Sequence, residues 1–195
     1  MRNNVIQIVK TSLALFILLS LLTGLLYPLA ITGVVQTLIP DKADGSLLIS
    51  NGVVIGSDLI GQRFTSPEYF HGRPSIVGYS ANNSGASNLG PSSAKLKDKT
   101  QENLAAIKRA NMMPLNSSVP ADLVLASGSG LDPHISIESA RLQASRVARA
   151  RNISESDVQD LINEQIELPY LGILGQSRIN VLRLNLRLDR LGEVS

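Results

Sequence analysis

From residue 11 to residue 40 the chain carries no charged side chain, and positions 13–26 are nearly all Leu, Ile, Ala and Phe. About 20 apolar residues cross a bilayer, so this stretch predicts a transmembrane helix with length to spare, an anchor over residues 11–39. A secretory signal has a shorter apolar region, about 7–15 residues, and ends in a small-residue cleavage site. Tyr27-Pro28-Leu29-Ala30-Ile31 is a poor site of that kind, so the anchor is expected to stay uncleaved. Pro28 should bend or loosen the helix in its outer third. Ser20, Thr23 and Gly24 put small residues on one face, which invites a partner helix docked through Ser20 and Gly24; the equal alternative is that such residues simply occur in many transmembrane helices.

Past the anchor the pattern changes. Two apolar runs, Ser46 to Ser50 and Val53 to Gly56, flank Asn51-Gly52, the strongest short-range signal for a β-hairpin. Residues 56–91 are rich in Gly, Ser, Asn and Pro but include Phe64, Tyr69, Phe70 and Tyr79, so an ordered functional loop is expected rather than a linker. Residues 94–110 read as a surface helix with a thin apolar stripe through Leu96, Leu104 and Ile107. Residues 122–126 read as a short buried strand, and residues 127–134 as a turn-rich loop.

A helix follows with Ile137, Ala140, Ala144, Val147 and Ala148 on one face, Arg141, Arg146, Arg149 and Arg151 off it, and Asn152 as a left-handed cap. Ser154 with Asp157 resembles a capping box, and Val158, Leu161, Ile162 and Ile166 continue at helical spacing until Pro169. Leu182, Leu184, Leu186 and Leu188 alternate with Arg183, Asn185, Arg187 and Asp189, the period-two signature of a strand with one wet face. The expected fold is a single N-terminal transmembrane helix plus one α+β extracytoplasmic domain with a small sheet, over residues 41–195.

Charge sets the expected orientation. Arg2, Lys10 and the amino terminus flank the anchor on one side, while Asp41, Lys42 and Asp44 on the other sum to a negative charge. Residues 1–10 are therefore expected in the cytoplasm and the domain outside, facing the periplasm in a cell with an inner membrane. Eighteen Lys and Arg against sixteen Asp and Glu leave no concentrated basic face for nucleic acid. No cysteine is present, which removes disulfides, thiolate metal sites and thiol nucleophiles together.

Candidate chemistry is thin. Ser129 stands between Gly128 and Gly130, but a nucleophile elbow needs glycines two positions to either side, where Ser127 and Leu131 stand, so an anchored hydrolase using Ser129 and His134 is a remote alternative. No Gly-Lys-Ser or Gly-Lys-Thr follows the glycines, so no phosphate loop is read. Asp132 and His134 could ligate a metal, but His71 is the only other histidine, and an Asx turn at Asp132 with His134 bonded to backbone or a partner is the preferred reading. No catalytic residue, metal or cofactor is assigned to the chain on residue grounds. The Asn-x-Ser triplets at Asn82 and Asn152 carry no weight without a glycosylating compartment.

Six stretches, in order behind the anchor, resemble the KdpC family, the small C subunit of the bacterial potassium-transporting Kdp P-type ATPase. They are Gly56-Ser-Asp-Leu-Ile-Gly-Gln-Arg-Phe64, Tyr69-Phe-His-Gly-Arg-Pro-Ser75, Ser87-Asn-Leu-Gly-Pro91, Ser127-Gly-Ser-Gly-Leu-Asp-Pro-His-Ile-Ser136, Arg146-Val-Ala-Arg-Ala-Arg151 and Asn180-Val-Leu-Arg-Leu-Asn185. Ala86, Asn152-Ile153 and Gln176-Ser177 depart from the family pattern, which bears on local turns.

The resemblance implies a non-catalytic subunit of a potassium importer that assembles with the channel-like KdpA, the ATP-hydrolysing KdpB and KdpF. It implies potassium as the transported ion and ATP bound by the B subunit, whose affinity for nucleotide the C subunit raises as a catalytic chaperone. The expected contact residues are Ser20 and Gly24 in the anchor and Tyr69, Phe70, Arg73, Asn88, Asp132 and His134 in the loops, with the domain capping the ion entrance of KdpA. The alternative is an anchored extracytoplasmic binding module unrelated to transport.

Overall fold

The computed structural model describes residues 2–50 and 52–192. The chain divides into two compact units, residues 1–47 and 48–195.

The first unit is one long helical rod. It runs as α1 (Arg2–Leu21), a π-helical turn (Leu22–Leu26) and α2 (Tyr27–Leu38), followed by the single turn α3 (Pro40–Ala43). From Asn4 to Leu38 it holds 35 residues with a mean hydropathy of 2.3. At 1.5 Å per residue that is about 50 Å, more than the roughly 30 Å of bilayer hydrocarbon. The helix therefore starts well before Thr11, taking in the polar residues ahead of the apolar run.

The expected disturbance at Pro28 takes a definite form. Tyr27 N–H reaches back to Leu22 O, a five-residue step, and the wider turn makes room where the proline ring would strike the preceding carbonyl. Thr23 Oγ1 donates to Leu19 O at 2.8 Å just ahead of it. At the far end Gln36 Nε2 donates to Asp44 Oδ1 at 2.9 Å, closing the polar end of the rod.

The second unit opens with the expected hairpin, β1 (Leu47–Ser50) hydrogen-bonded to β2 (Val53–Ser57). Gly52 takes φ +77°, while its turn partner Asn51 lies outside the described residues, as do residues 193–195 at the end of the expected domain. After a long irregular stretch come α4 (Ala94–Ala110), α5 (Ala121–Val124), β3 (His134–Ile135), α6 (Ile137–Arg151), α7 (Glu155–Glu164), β4 (Ile166–Glu167), β5 (Arg178–Asn180) and α8 (Val181–Gly192). The second sheet has the order β3-β5-β4, both pairs antiparallel, with Ile179 opposite Ile135 on one side and Ile166 on the other.

Caps explain the helix starts. Ser93, Ser136 and Ser154 each accept a backbone N–H from the third residue on, and Asn152 ends α6 at φ 56°. Phe70, Ile135, Ala140, Ala144, Val147, Val158, Ile162, Ile179, Leu184 and Leu188 make the centre of the core.

Two elements differ from the sequence reading. Residues 182–188 are helical, not a strand. Val181, Leu182, Leu184, Asn185 and Leu188 are buried while Arg183 and Arg187 are exposed, a helical stripe that leucines at every second position also satisfy. Asn180 starts this helix, its Oδ1 accepting Arg183 N–H at 3.2 Å. Residues 121–124 form a helical turn instead of a strand, because Pro120 precedes it and the Asp122 carboxylate turns to α6, accepting Ser136 N–H at 2.7 Å and Ser139 Oγ at 2.6 Å. In addition, α7 stops at Glu164, and Ile166 belongs to β4.

The loop ahead of α4 is held by buried amides. Phe70 N–H donates to Asn185 Oδ1 at 2.8 Å and Asn185 Nδ2 donates to Phe70 O at 3.0 Å. One residue on, His71 N–H donates to Gln143 Oε1 at 2.8 Å and Gln143 Nε2 to His71 O at 3.1 Å. Each side chain thus serves one backbone unit as a neighbouring strand would. Replacing Asn185 by Leu leaves both Phe70 backbone groups buried and unpaired, so urea unfolding of the full chain in detergent is expected to show a loss of about 3 kcal/mol. Arg187→Ala on the exposed side of α8 should stay within about 0.5 kcal/mol.

Candidate functional site

The loops of residues 69–79 and 127–134 form one hydrogen-bonded body. Ser75 Oγ donates to Gly130 O at 2.6 Å and accepts Tyr79 N–H at 3.0 Å. Ser127 N–H donates to Pro74 O at 3.3 Å, Gly85 N–H to Ser129 O at 2.9 Å and Gly61 N–H to Leu131 O at 2.7 Å. Tyr79 Oη donates to Arg73 O in a short contact, and burial, together with the nearby Asp132 charge, pushes its phenol up to about 12. Gly130 is required on two counts: its φ is +70°, and a Cβ there would lie 2.6 Å from Val77 Cγ2 and 2.9 Å from Gly85 O.

A run of alternating charges crosses this body. Arg73 Nη1 meets Asp132 Oδ2 at 3.0 Å, and Asp132 Oδ1 accepts His134 N–H at 3.0 Å, the Asx turn expected from the sequence. The His134 ring lies between carboxylates, Nδ1 at 3.6 Å from Asp132 Oδ1 and Nε2 at 3.5 Å from Glu167 Oε2. Glu167 in turn accepts from Arg178 Nε at 3.0 Å. Arg73, Asp132, His134 and Arg178 thereby line a cleft of about 830 Å³ together with Asp122 and Ser136. Burial acts to raise the Asp132 pKa, but hydrogen bonds from the His134 side chain and backbone and from Arg73 outweigh it and hold the group at about 2.

The structure thus brings Arg73, Asp132 and His134 together. Ser129 Oγ instead accepts Leu131 N–H at 3.1 Å while the His134 nitrogens face carboxylates, so the serine–histidine pairing of an anchored hydrolase is not formed. Among the described residues no cluster of three or more His, Cys, Asp and Glu side chains is arranged to hold a metal ion.

The other expected contact residues are dispersed. Phe70 is fully buried in the core and presents nothing to a partner, which corrects its place among the expected contact residues. Tyr69 is half-buried: the Arg151 guanidinium sits 4.8 Å from its ring centroid, and its Oη donates to Asp189 Oδ2 at 3.4 Å. Asn88 is exposed at φ 52°, and its neighbours Ser87 and Leu89 line a separate cleft of about 650 Å³ with Leu96 and Val124. Ser20 and Gly24 lie exposed on the apolar rod, with nothing within 4 Å of a Cβ placed at Gly24.

Sequence reasoning missed the residues beneath the site. Arg146 is buried, not off the packed face; Nη1 donates to Pro67 O and, at 3.0 Å, to Tyr69 O, Nε to Asn111 Oδ1 at 3.1 Å and Nη2 to Gln143 Oε1 at 2.8 Å. Burial lowers its pKa to about 10, which leaves it cationic at neutral pH. Burial also lowers the His71 pKa, its ring bonded to Ser66 O at 3.0 Å.

The protein is thus of a class with an N-terminal apolar helix that fits a membrane anchor, followed by a small α+β unit with a charge-paired cleft. The family model described as KdpC, K+-transporting ATPase, c chain, matches residues 9–190. The potassium-transporting ATPase KdpC subunit of Rhodospirillum rubrum is 53% identical over 187 residues, 94% of this chain and 96% of its own length. The same subunit of Polaromonas naphthalenivorans is 49% identical over 193 residues, 97% of each chain, and that of Mycobacterium bovis 50% identical over 182 residues, 92% and 96%. The chain belongs to the KdpC family, a subunit family of the potassium-transporting ATPase.

The Asp132 carboxylate, at about 2 when folded against about 3.8 unfolded, contributes stability that is complete above about pH 4 and lost as pH falls toward 2. Acid titration of unfolding should show this loss in the parent chain and not in Asp132→Asn. Gly130→Ala is expected to cost more than about 1 kcal/mol, read from the urea midpoint, since it combines a positive φ with a backbone clash.

Proposed function

We propose that this chain is the accessory, non-catalytic subunit of an ATP-driven potassium importer, with its amino terminus in the cytoplasm and its domain outside, capping the ion entrance of the channel-like subunit. The observation that carries this reading is the condition of the loops on which the family resemblance rests. Residues 69–75 and 127–136 among them are joined by hydrogen bonds, and there Arg73, Asp132 and His134 are engaged with one another and with Glu167 of β4. Side chains that would serve an enzyme as base or metal ligand are here occupied in holding a surface.

On this reading Tyr69, Arg73, Asn88, Asp132 and His134 are the contact side of the domain, with Phe70 supporting them from the core, and the anchor docks through the face bearing Ser20 and Gly24. Arg and Tyr are favoured anchors at protein interfaces. A domain outside the membrane has no access to cytoplasmic ATP. Its effect as a catalytic chaperone on the nucleotide affinity of the ATP-hydrolysing subunit would be a coupling through the membrane, and in binding terms reciprocal: ATP must alter the affinity on the ion side by the same factor.

The test is copurification of the tagged full chain with the other pump subunits, with potassium-stimulated ATPase assayed on the eluate. Activity should follow the full chain and be lost when residues 1–40 are removed. Recovery of no ATPase with either form would overturn the subunit reading. Arg73→Ala and His134→Ala, checked for unchanged unfolding midpoints, should lower potassium uptake several-fold; unaltered uptake would remove the loops from the contact surface.

A further inference from the structure

The turn between β4 and β5 has a composition that a water-facing loop does not need. In Leu168-Pro-Tyr-Leu-Gly-Ile-Leu-Gly175 no charged residue occurs, and Leu168, Tyr170, Leu171, Ile173 and Leu174 are 58–80% exposed. Clustered exposure of this kind marks a membrane or protein contact.

Part of the tip's backbone is already paired from within. Tyr170 and Leu174 exchange N–H···O bonds at 2.9 Å, Gly172 N–H reaches Pro169 O at 2.9 Å, and Ile173 N–H reaches Tyr170 O at 3.3 Å. Pro169 has no N–H to satisfy. A segment entering a medium without water needs its backbone groups paired internally, and an ordinary solvated turn does not.

Charge returns at the base of the hairpin. Glu167 pairs with Arg178, and its charge also acts on Arg183. Arg183, Arg187 and Arg190 line a cleft of about 250 Å³ with Gln165, Leu186 and Leu48. Arg183 is tied to Asp58, while Arg187 and Arg190 have no ion-pair partner among the described residues, and they are the cations this cleft can offer to an anion.

We propose that the hairpin tip inserts into the headgroup layer of a phospholipid bilayer, with Arg187 and Arg190 attracted to anionic headgroups beside it. Dimensions fit: four residues from Glu167 to Leu171, at about 3.3 Å each, reach about 13 Å, deeper than a headgroup layer of roughly 5–8 Å. The tip's Tyr170 is of the type enriched at membrane interfaces.

A bilayer is chosen over a protein partner because the chain brings one with it. Leu48, which lines the arginine cleft, is ten residues beyond Leu38, the end of the apolar helix. Even fully extended that tether reaches at most about 35 Å, so the membrane surface stays within range of the domain at high effective concentration. This inference is independent of the pore-capping reading and of which side of the membrane the domain occupies.

The chain has no cysteine, so a single one can be labelled. Full-length Ile173→Cys and, as a surface control on α4, Glu102→Cys would each carry an environment-sensitive fluorophore in vesicles of phosphatidylcholine with phosphatidylglycerol. Doxyl-labelled lipid is expected to quench the probe at position 173 at least 2-fold more than the probe at 102, while aqueous iodide quenches it correspondingly less. Equal iodide quenching at the two positions would overturn the proposal. So would a probe at 173 shielded from both quenchers, which would mark a protein contact. Lipid quenching at 173 should fall when phosphatidylglycerol is omitted, and that difference should disappear in the chain also carrying Arg187→Gln and Arg190→Gln. Its persistence would overturn the role given to the arginines.

Discussion

The domain depends on how the backbone at Phe70 and His71 is satisfied. Between β2 and α4 lie residues 58–93 without a helix or a strand, and the Phe70 side chain at their centre is fully buried. Burying a side chain there takes its peptide groups out of water as well, and an unpaired buried N–H or C=O costs about 1–3 kcal/mol. Asn185 from α8 and Gln143 from α6 meet the need, each bonding one residue on both its donor and its acceptor side. Arg146 adds bonds to the carbonyls of Pro67 and Tyr69. The loop is thereby fastened to two helices that also pack on each other through α7 and the core, and Arg73 is set by a backbone already fixed three residues earlier.

From that point the rigidity is handed along the chain. Tyr79 ties to Arg73 O, Ser75 to Gly130, and Gly85 to Ser129, so the second loop inherits its position from the first. The Arg73–Asp132 pair is the end of this chain of dependence rather than its source. Partly exposed ion pairs contribute little stability by themselves, which makes this pair a readout of a geometry established by hydrogen bonds behind it.

Much of this was legible in the residues. The apolar run, the Asn-Gly hairpin, the bounds of α4, the Ser154 cap and the Asn152 terminus rest on local rules and stand as expected. What was hidden follows from α8. Leucine at every second position satisfies a strand and a helix alike, and reading a strand put Asn185 on a wet face. As a helix the same residues place Asn185 beside Leu184 and Leu188 on the buried side, where a polar amide has to be paying for something, here the Phe70 backbone. Gln143 and Arg146 were concealed in the same way: both sit on the buried side of α6 among alanines, and only the identity of the carbonyls they reach, 72 and 79 residues away in sequence, explains them. Non-local partners of this kind leave no periodic trace.

The distribution of chemistry over the domain then has one physical sense. In the first loops polar groups are spent on one another: Asp132 is surrounded by donors, His134 by carboxylates, and the Arg146 guanidinium by carbonyl and amide oxygens. The apolar surplus lies elsewhere, on the rod and on the turn between β4 and β5. The accessory role proposed for the chain asks for groups that do not change during a cycle, whereas a catalyst needs groups whose protonation or coordination can change. Asp132 held at about 2 and Tyr79 at about 12 lie far from the pH at which proton transfer is useful, and both are set by the contacts that fasten the loops. Coupling between distant sites requires an element with two discrete positions that moves as a body. In the pore-capping proposal the stitched loops supply the body, so any motion linking ion entry to nucleotide binding would occur at the domain's borders with its partners rather than within its charge network.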